Sequence, residues 1–300
     1  MKVLVLGGSG MLGHKVFQIL RARHPQTACT VRGRLSASPL RSIGLFRHGN
    51  VFDAVDASDL STVERVLRLY RPHAVVNCLG LVKQRPEAAS MAKCMAINAL
   101  FPRRLAGLCA EVRARLIHFS TDCVFNGISG GYSEGDRPDA DDAYGISKRA
   151  GEPDGTNVLT LRTSFVGREL TNFSSLLEWL ISRNGESVRG YTRTIFSGVT
   201  TRFLGNLVGD LLDRHPDLWG LYHVAGEAIS KHDLLCLLRS AFGLDVEVIP
   251  DDGPCCDRSL NGERFRKETG LVVPSWPDLV RDLALDPTPY EAWRKVYEAA

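Results

Sequence analysis

Tyr144 and Lys148 lie four residues apart in Tyr144-Gly-Ile-Ser-Lys148, a spacing that places both side chains on one face of a helix. A phenol with a pKa near 10 can donate a proton, and a neighbouring ammonium that stabilises the tyrosinate lowers that pKa. The pair is therefore suited to protonating an alkoxide. The same spacing also fits an amphipathic helix with a packed Tyr and a solvated Lys, so a cofactor site and a further polar group must accompany it.

A glycine-rich turn follows a short buried strand at residues 2–6. The strand is apolar and β-branched, as in parallel sheets, and a helical pattern follows the turn. Glycines allow the backbone to turn tightly and approach a pyrophosphate, which the N–H groups at the helix start then stabilise. The order of strand, glycine turn and helix predicts a dinucleotide site. The residues predicted to contact the dinucleotide here are Gly7, Gly10, Met11, Leu12 and Gly13.

Arg32 and Arg34 follow the second predicted strand, residues 27–31. An Asp or Glu at this distance from the glycines would hold the ribose 2′-hydroxyl of NAD, whereas a guanidinium suits the 2′-phosphate of NADP. We therefore expect NADP(H) to be preferred over NAD(H). The alternative is that both arginines are solvated loop residues.

The next two predicted strands also end in polar or small residues. The third, residues 49–56, ends in Asp56, whose carboxylate could accept a hydrogen bond from the adenine amine, while Asp59 is placed to cap the next helix. The fourth ends in Asn77 and Gly80, where the backbone could again approach the cofactor. Ligands bind at the carboxyl ends of strands in doubly wound sheets.

A helix is predicted over residues 88–108, kinked or restarted at Pro102, with the polar Asn98 inside it as a capping or bridging residue and a further cofactor-site candidate. A fifth strand, residues 115–119, then ends in Ser120-Thr121-Asp122-Cys123. This run delivers hydroxyl groups to the same edge of the sheet as the glycine turn.

The alternation of strands and helices predicts an α/β fold, a Rossmann-like doubly wound parallel sheet with a small C-terminal α+β substrate lobe. We expect residues 1–166 with about 195–226 to form the dinucleotide-binding domain, and residues 167–194 with 227–300 the substrate lobe. Within the second half, helices are predicted near 172–181, at 200–212 and from Ser230, and a strand at 221–224 is expected to return to the main sheet.

Three motifs occur in the order seen in extended short-chain dehydrogenase/reductases: the glycine turn, Ser120-Thr-Asp-Cys-Val-Phe-Asn-Gly127 and Tyr144-Gly-Ile-Ser-Lys148. Among these enzymes the chain resembles most the dTDP-4-dehydrorhamnose reductase group. The resemblance implies NADPH-dependent reduction of a 4-keto-6-deoxy sugar nucleotide in polysaccharide or glycan precursor synthesis. It also implies Thr121, Tyr144 and Lys148 as the catalytic set, with Tyr144 and Lys148 at the nicotinamide ribose as well.

Cys123 departs from this group, which commonly has Tyr at that position. In the similar GDP-fucose synthases a cysteine there is an epimerising acid/base, paired with a histidine that this chain lacks, since no His occurs between His118 and His215. The alternatives are therefore a sugar-nucleotide epimerase or dehydratase on the same scaffold, or a non-catalytic nucleotide-binding regulatory subunit. Cys123 also fits a small buried thiol at a strand end.

Substrate contacts are predicted less sharply than cofactor contacts. In the family that the chain resembles, the C-terminal lobe closes over the sugar nucleotide. Asp122 and Cys123, which follow the active-site strand, are candidate substrate contacts. Each basic candidate for the pyrophosphate could equally be a solvated or salt-bridged residue. The basic candidates are Lys83, Arg85, Arg193 and Arg258.

Composition excludes several classes of function. A net charge of +3 with scattered basic residues gives no nucleic-acid footprint. No segment reaches the roughly 18 apolar residues of a membrane span, so we expect a cytoplasmic protein without a membrane partner. The eight cysteines lack Cys-x-x-Cys pairs, which argues against zinc and disulfides, although Cys255-Cys256 lies in a loop open to redox or metal chemistry. We expect no metal, and the sequence leaves a homodimer open.

Overall fold

The computed structural model describes residues 1–47, 50–83 and 86–299. Gly49, the first residue of the predicted third strand, and Arg85, a predicted substrate contact, lie outside the described residues. None of the described helices is long and apolar enough to cross a membrane. No group of three or more His, Cys, Asp or Glu residues suited to a metal ion occurs in the described part of the chain.

The strands of the described residues follow each other along the chain. They are β1 (Val3–Leu6), β2 (Ala28–Thr30), β3 (Val51–Phe52), β4 (Ala74–Asn77), β5 (Arg115–Ser120), β6 (Val158–Arg162), β7 (Phe165–Val166), β8 (Ser187–Tyr191), β9 (Thr194–Phe196), β10 (Val199–Thr200), β11 (Gly220–His223), β12 (Ile229–Ser230), β13 (Glu247–Asp251) and β14 (Cys256–Asp257).

The α-helices are interspersed with these strands. They are α1 (Met11–Arg23), α2 (Leu60–Tyr70), α3 (Met91–Cys94), α4 (Phe101–Glu111), α5 (Ala143–Ala150), α6 (Leu176–Ser182), α7 (Thr201–Arg214), α8 (Lys231–Phe242), α9 (Glu263–Thr269), α10 (Trp276–Ala284) and α11 (Tyr290–Glu298).

Seven parallel strands form the main sheet in the order β11-β6-β5-β4-β1-β2-β3. The chain starts in the middle at β1 and winds outward in both directions, which confirms the predicted doubly wound α/β fold. The predicted return of the chain to this sheet is confirmed by β11, which pairs with β6. At the switch point between β1 and β4, Leu6 is in register with Asn77, so the glycine turn and the β4 loop leave the sheet side by side.

Helices cover both faces of the sheet, because successive apolar side chains of each strand point to opposite faces. In β1, Val3 and Val5 belong to the larger apolar core, which includes α1 and α7, while Leu4 and Leu6 belong to the core beneath α2 and α4. Side chains of period two on a strand bury both faces only when a layer of helices packs on each side. The result is a three-layer sandwich whose carboxyl edge is left open.

The C-terminal lobe is built from short strands and helices beside that edge. β13 pairs in parallel with β8, and β9 lies between β12 and β14 in a second small sheet. Apolar residues of α8 and α10 join the larger core, so the lobe packs firmly on the sandwich. This arrangement places β9 and the start of α8 opposite the carboxyl ends of the main strands.

The helix predicted over residues 88–108, with a kink or restart at Pro102, is divided in the structure, and the restart is confirmed. A 3₁₀ turn and α3 lead into a π-helix at Met95–Leu100, and α4 begins only at Phe101. Pro102 has no N–H to donate to the Asn98 carbonyl four residues earlier, and Gly151 lies against that carbonyl, with a hypothetical Cβ only 1.7 Å from it. The wider π-helical turn therefore brings the Asn98 carbonyl into contact with the end of α5.

Two further boundaries differ from the sequence prediction. The predicted third strand over residues 49–56 is restricted to β3, because Ala54 with φ of 52° leaves the extended conformation. The helix predicted near 172–181 begins only at Leu176, since Asn172 and Phe173 adopt left-handed φ values of 70° and 49°.

Candidate active site

Side chains from three strand ends and from α5 surround a cavity of about 220 Å³ at the carboxyl edge of the sheet. The structure brings the predicted catalytic set together here with part of the predicted cofactor set. The predicted residues that line this cavity are Leu12, Asn77, Gly80, Lys83, Thr121, Cys123, Tyr144 and Lys148. Motifs separated by more than a hundred residues in the chain therefore form one site.

Local interactions fix the start of α5. Asp142 caps the helix by accepting a 2.8 Å hydrogen bond from the Gly145 N–H. Its other carboxylate oxygen lies 2.6 Å from Lys83 Nζ. This ion pair holds the loop after β4 next to α5, and Lys83 also lines the cavity.

Tyr144 is half-buried and lines the cavity. Burial raises the pKa of its phenol. An ionised Cys123 nearby would raise this pKa further, whereas a hydrogen bond with Thr121 lowers it. The expectation that Lys148 brings this pKa down is not met in the structure, because burial outweighs the other effects on the phenol. Tyr144 is consequently neutral at physiological pH, the state that a proton donor requires.

Lys148 is 5% exposed and donates a 2.6 Å hydrogen bond from Nζ to the Phe119 carbonyl. Burial lowers the pKa of this ammonium to about 8, and the opposing charge of Glu152 limits the fall. Glu152 is held in turn by Ser120 and by two bonds from Arg162 at 2.7 and 2.8 Å. The lysine is therefore mostly protonated at neutral pH and fixed behind Tyr144 on α5.

Thr121 lies at the point where β5 ends, and it is buried at the cavity wall. Its hydroxyl accepts from the Cys123 N–H at 3.1 Å and donates to Asp122 Oδ1 at 3.1 Å. The turn thereby holds the hydroxyl oxygen toward Tyr144, where a hydrogen bond links the two side chains. A hydroxyl and a phenol at one cavity wall can stabilise and protonate a developing oxyanion.

The glycine turn has the geometry of a phosphate-binding loop. Gly7 adopts φ of 83°, and a Cβ on Gly13 would lie 2.1 Å from the Gly7 carbonyl, so neither position has room for a side chain. α1 starts at Met11 with Gly10 as an N-cap that has no side-chain bond, and its first turn has no acidic residue. The N–H groups at this helix start are free to bind a diphosphate, as a dinucleotide requires.

A second cavity of about 460 Å³ continues from the first toward the C-terminal lobe. Gly10, Met11 and Leu12 line it on the sheet side. The two cavities share Leu12, Gly80 and Cys123, so they form one cleft, in which the first cavity holds Tyr144 and the second is lined by the glycine turn and the lobe.

The residues predicted for the adenosine end lie at the surface. Arg32 and Arg34 are exposed after β2, and no carboxylate of the described residues lies within ion-pair distance of either guanidinium. Asp56 instead accepts hydrogen bonds from Ser58 N and Oγ at 2.9 and 2.8 Å, which lowers its pKa. Both bonds are accepted by Oδ1, and Asp59 caps α2 as predicted.

Asn98 and Asn77 have positioning roles in the structure. Asn98 is buried in the π-helix, where its amide bonds both backbone groups of Leu81, at 2.8 and 3.0 Å, and Ser147 Oγ at 3.2 Å. The bridging role predicted for it is confirmed. Asn77 bonds His118 at 3.0 Å and the Leu79 N–H at 3.1 Å. Both amides hold the β4 loop against α5.

The lobe side of the cleft carries two basic side chains. Arg258 lines the cleft and donates to the Phe125 carbonyl at 2.8 Å, and the charges of Asp122 and Cys123 contribute to its raised pKa. Lys231, at the start of α8, lines the same wall with Nζ 3.7 Å from the centre of the Phe196 ring. Burial lowers its pKa to about 8. Sequence reasoning missed Lys231, since Ser230-Lys-His-Asp was interpreted only as a helix cap.

Arg193 is exposed in the turn before β9 and is absent from the described lining of both cavities, in contrast to the prediction. Its backbone carbonyl accepts a 3.0 Å hydrogen bond from the Cys256 N–H beside β9 and β14.

The cysteines near the cleft are thiols in this structure. Burial raises the pKa of Cys123 to about 12, so the side chain remains protonated at neutral pH. Cys256 lines the cleft next to Arg258, whereas Cys255 is exposed, and both are free.

The chain is similar to proteins of one family along most of its length. The family model described as RmlD substrate binding domain matches residues 1–255. A relative from Haloferax volcanii, named probable low-salt glycan biosynthesis reductase Agl14, is 30% identical over 89% of this chain and 86% of its own length. Methionine adenosyltransferase 2 subunit beta from Xenopus laevis is 24% identical over 81% of this chain and 72% of its length.

Solved structures show the same fold. The dTDP-4-dehydrorhamnose reductase from Bacillus anthracis, determined in complex with NADP, superposes with a TM-score of 0.77 at 24% identity over 95% of this chain and 99% of that protein. The matched region contains the glycine turn, the β5 end and α5. The chain belongs to the family of the RmlD substrate binding domain, whose relatives include sugar-nucleotide reductases.

Proposed function

We propose that the protein catalyses NADPH-dependent reduction of a 4-keto-6-deoxy sugar nucleotide, in the synthesis of polysaccharide or glycan precursors. The observation that carries this proposal is the convergence of Thr121, Tyr144 and Lys148 on one cavity that continues to the glycine turn. The names of its relatives as reductases support the reaction class. Residues 1–166 with about 195–226 would bind the dinucleotide, and the remaining lobe would bind the sugar nucleotide.

The proposed chemistry follows from the protonation states of the site. The nicotinamide, when bound, supplies the hydride. Tyr144 is neutral and donates its proton to the oxygen of the reduced ketone, while the Thr121 hydroxyl hydrogen-bonds the developing negative charge. The ammonium of Lys148, on the same face of α5, stabilises the tyrosinate left behind. Reduction therefore needs all three side chains, and Tyr144→Phe should abolish turnover while leaving cofactor binding intact.

The preference for NADPH rests on Arg32 and Arg34, which are exposed at the carboxyl end of β2 and lack a described carboxylate partner. A guanidinium binds a 2′-phosphate through charge-assisted hydrogen bonds of about 1.5–3 kcal/mol each. Replacing either arginine by Ala should therefore weaken NADPH binding about tenfold or more without changing NADH binding. Dissociation constants of both cofactors measure this, and a wild-type preference for NADH would contradict the proposal.

Lys231 and Arg258 supply the positive charge for the substrate diphosphate in this proposal. Both line the second cavity, which adjoins the cavity that holds Tyr144. Lys231 also lies over the Phe196 ring, and this cation–π contact holds the ammonium at the wall of the cleft. A screen of NADPH oxidation against TDP-, UDP-, GDP- and CDP-linked 4-keto-6-deoxy sugars identifies the nucleotide.

Epimerisation by Cys123 is a weaker alternative, because a thiol with a pKa of about 12 is a poor base at neutral pH. We expect no solvent deuterium on the carbons that flank the ketone after turnover in D₂O. Deuterium at either carbon, lost in Cys123→Ser, would instead establish a reductase-epimerase.

A second candidate function is a non-catalytic subunit that binds a nucleotide. The similarity to proteins named methionine adenosyltransferase 2 subunit beta favours it. A regulator has no need of a proton donor, however, and this chain retains Thr121, Tyr144 and Lys148 in one cavity. A silent substrate panel together with measurable NADPH binding would support the subunit over the reductase.

A further inference from the structure

The segment from Asp286 to Tyr290 packs on α1, the helix that follows the glycine turn. It lies beyond residue 255, where the match to the family ends. Tyr290 and Thr288 are buried, with 5% and 7% exposed, and they contact His14 and Lys15 in the first turns of α1. The C-terminal end of the described chain is thus fastened to the start of its first helix.

His14 is the contact closest to the glycine turn. It is fully buried, its Nδ1 lies 2.9 Å from the Gly10 carbonyl, and its Nε2 lies 2.8 Å from the Tyr290 hydroxyl. A carbonyl can only accept a hydrogen bond, so Nδ1 carries the proton. Burial lowers the pKa of His14 to about 3, so the ring is neutral and Nε2 accepts from Tyr290. The Gly10 carbonyl therefore selects the tautomer, and the Tyr290 hydroxyl satisfies the buried Nε2 and holds the imidazole in place.

Lys15 provides a second attachment beside the first. Its ammonium is 2.5 Å from Asp286 Oδ2 and donates to Thr288 Oγ1 at 2.9 Å, at a site where both charged side chains are nearly fully buried. It also lies 5.1 Å from the centre of the Tyr290 ring. These contacts seat the tyrosine against α1 and restrict the movement of its hydroxyl away from His14.

Gly10 is the residue whose orientation matters for a bound phosphate. It is the N-cap of α1, its N–H donates to the Gly7 carbonyl at 3.0 Å, and its own carbonyl accepts from the His14 N–H at 3.0 Å. Its peptide groups therefore join the glycine turn to the helix whose free N–H groups face the cleft. A change in the His14 side chain therefore acts directly on the peptide group that connects the glycine turn to α1.

We propose that Tyr290 is a positioning residue for the dinucleotide, acting through His14 on the Gly10 carbonyl. The inference rests on the proposed function, because it requires that the glycine turn binds a dinucleotide. In Tyr290→Phe the aromatic ring remains, but the buried Nε2 of His14 loses its donor, so no hydrogen bond on that side holds the imidazole in line with the Gly10 carbonyl. The phosphate-binding turn then loses its fixed orientation.

The test compares Tyr290→Phe with Tyr222→Phe. Tyr222 is a matched control, since it is also buried and donates one side-chain hydrogen bond, to Glu268, but it lies in β11 away from the cleft. NADPH dissociation constants, thermal unfolding and the ¹⁵N shifts of the His14 ring are measured for both variants and the wild type. We expect Tyr290→Phe to weaken NADPH binding about three- to tenfold, the loss of one hydrogen bond, and to shift the His14 nitrogens.

The control should lower thermal stability while leaving NADPH affinity within twofold and the His14 signals unchanged. Wild-type affinity and unchanged His14 signals in Tyr290→Phe would overturn the positioning role alone. Equal loss of affinity in the two variants would also overturn it, because general destabilisation would then explain the effect. Failure of the wild-type protein to bind either NADPH or NADH would refute the cofactor part of the proposed function and this inference with it.

Discussion

Gly151→Ala tests how far the catalytic geometry depends on the contact between α5 and the π-helix. Gly151 ends α5 with φ of −93°, a conformation that alanine adopts freely, so the substitution changes only the space that the residue fills. The added Cβ would lie 1.7 Å from the Asn98 carbonyl oxygen and 2.9 Å from Ala99 Cα. These neighbours are backbone atoms and cannot rotate out of the way.

The magnitude follows from the displacement that relieves this clash. Ordinary van der Waals contact begins at 3.4 Å, so the two helices must separate by about 1.7 Å at this point. Overpacking of this kind costs about 1–3 kcal/mol of stability. A displacement of about 1 Å at a catalytic group can lower the rate about 100-fold. Because Lys148 and Tyr144 belong to the displaced helix, we expect kcat to fall about 100-fold.

NADPH oxidation with the best substrate of the nucleotide panel measures kcat, and thermal unfolding measures stability. Gly107→Ala is the matched control, since Gly107 lies in the interior of α4 and a Cβ there meets nothing within 4 Å. It should stabilise the helix by about 0.5–1 kcal/mol and leave kcat unchanged. A Gly151→Ala enzyme with wild-type kcat would show that the helix contact does not set the position of Tyr144 and Lys148.

Three further predictions concern charges in the cleft. Lys148 has a pKa of about 8, so its ammonium is present below that pH, and turnover should fall as the pH rises through 8. Glu152→Gln removes a charge that raises this pKa and should move this limb of the pH profile to lower pH. A limb that does not move would show that it reports a group other than Lys148. Lys231→Met should raise the KM for the sugar nucleotide about tenfold with NADPH affinity unchanged, whereas equal KM values would place the diphosphate elsewhere. Lys83→Met removes a half-exposed ion pair and should change the unfolding free energy by less than about 1 kcal/mol, so a much larger loss would show that the β4 loop depends on it.

The sequence was sufficient to predict the main sheet and the residues that meet in the candidate active site, because both depend on short-range patterns. Each apolar strand is followed by its own polar or glycine residues, and parallel strands bring these ends to one edge. Thr121 and Tyr144 could thus be placed together before their contact was known. Gly13 could be placed for the same reason, since its spacing from Gly7 is set within a single turn.

The residues that were misassigned or missed depend on contacts between distant parts of the chain. Lys83 could not be recognised as the partner of Asp142 because 59 residues and a strand separate them, and periodicity says nothing about such pairs. Lys231 was hidden in a helix cap for the same reason, since only the packing of α8 on β9 and Phe196 directs its side chain into the cleft. Positive φ values at Asn172 and Phe173 were likewise not encoded by any glycine.

The contact between Tyr290 and His14 of α1 shows why such long-range contacts matter for the cleft. Tyr290 and His14 are 276 residues apart, and no local pattern relates them, yet the Tyr290 hydroxyl satisfies one nitrogen of the buried imidazole whose other nitrogen donates to the Gly10 carbonyl. The glycine turn supplies a shape that any dinucleotide fold requires, but its glycines also make it permissive, because a chain without side chains has many accessible conformations. An imidazole held from both sides would restrict that freedom, so under the role proposed for Tyr290 the phosphate site depends on a residue far along the chain as well as on the turn itself.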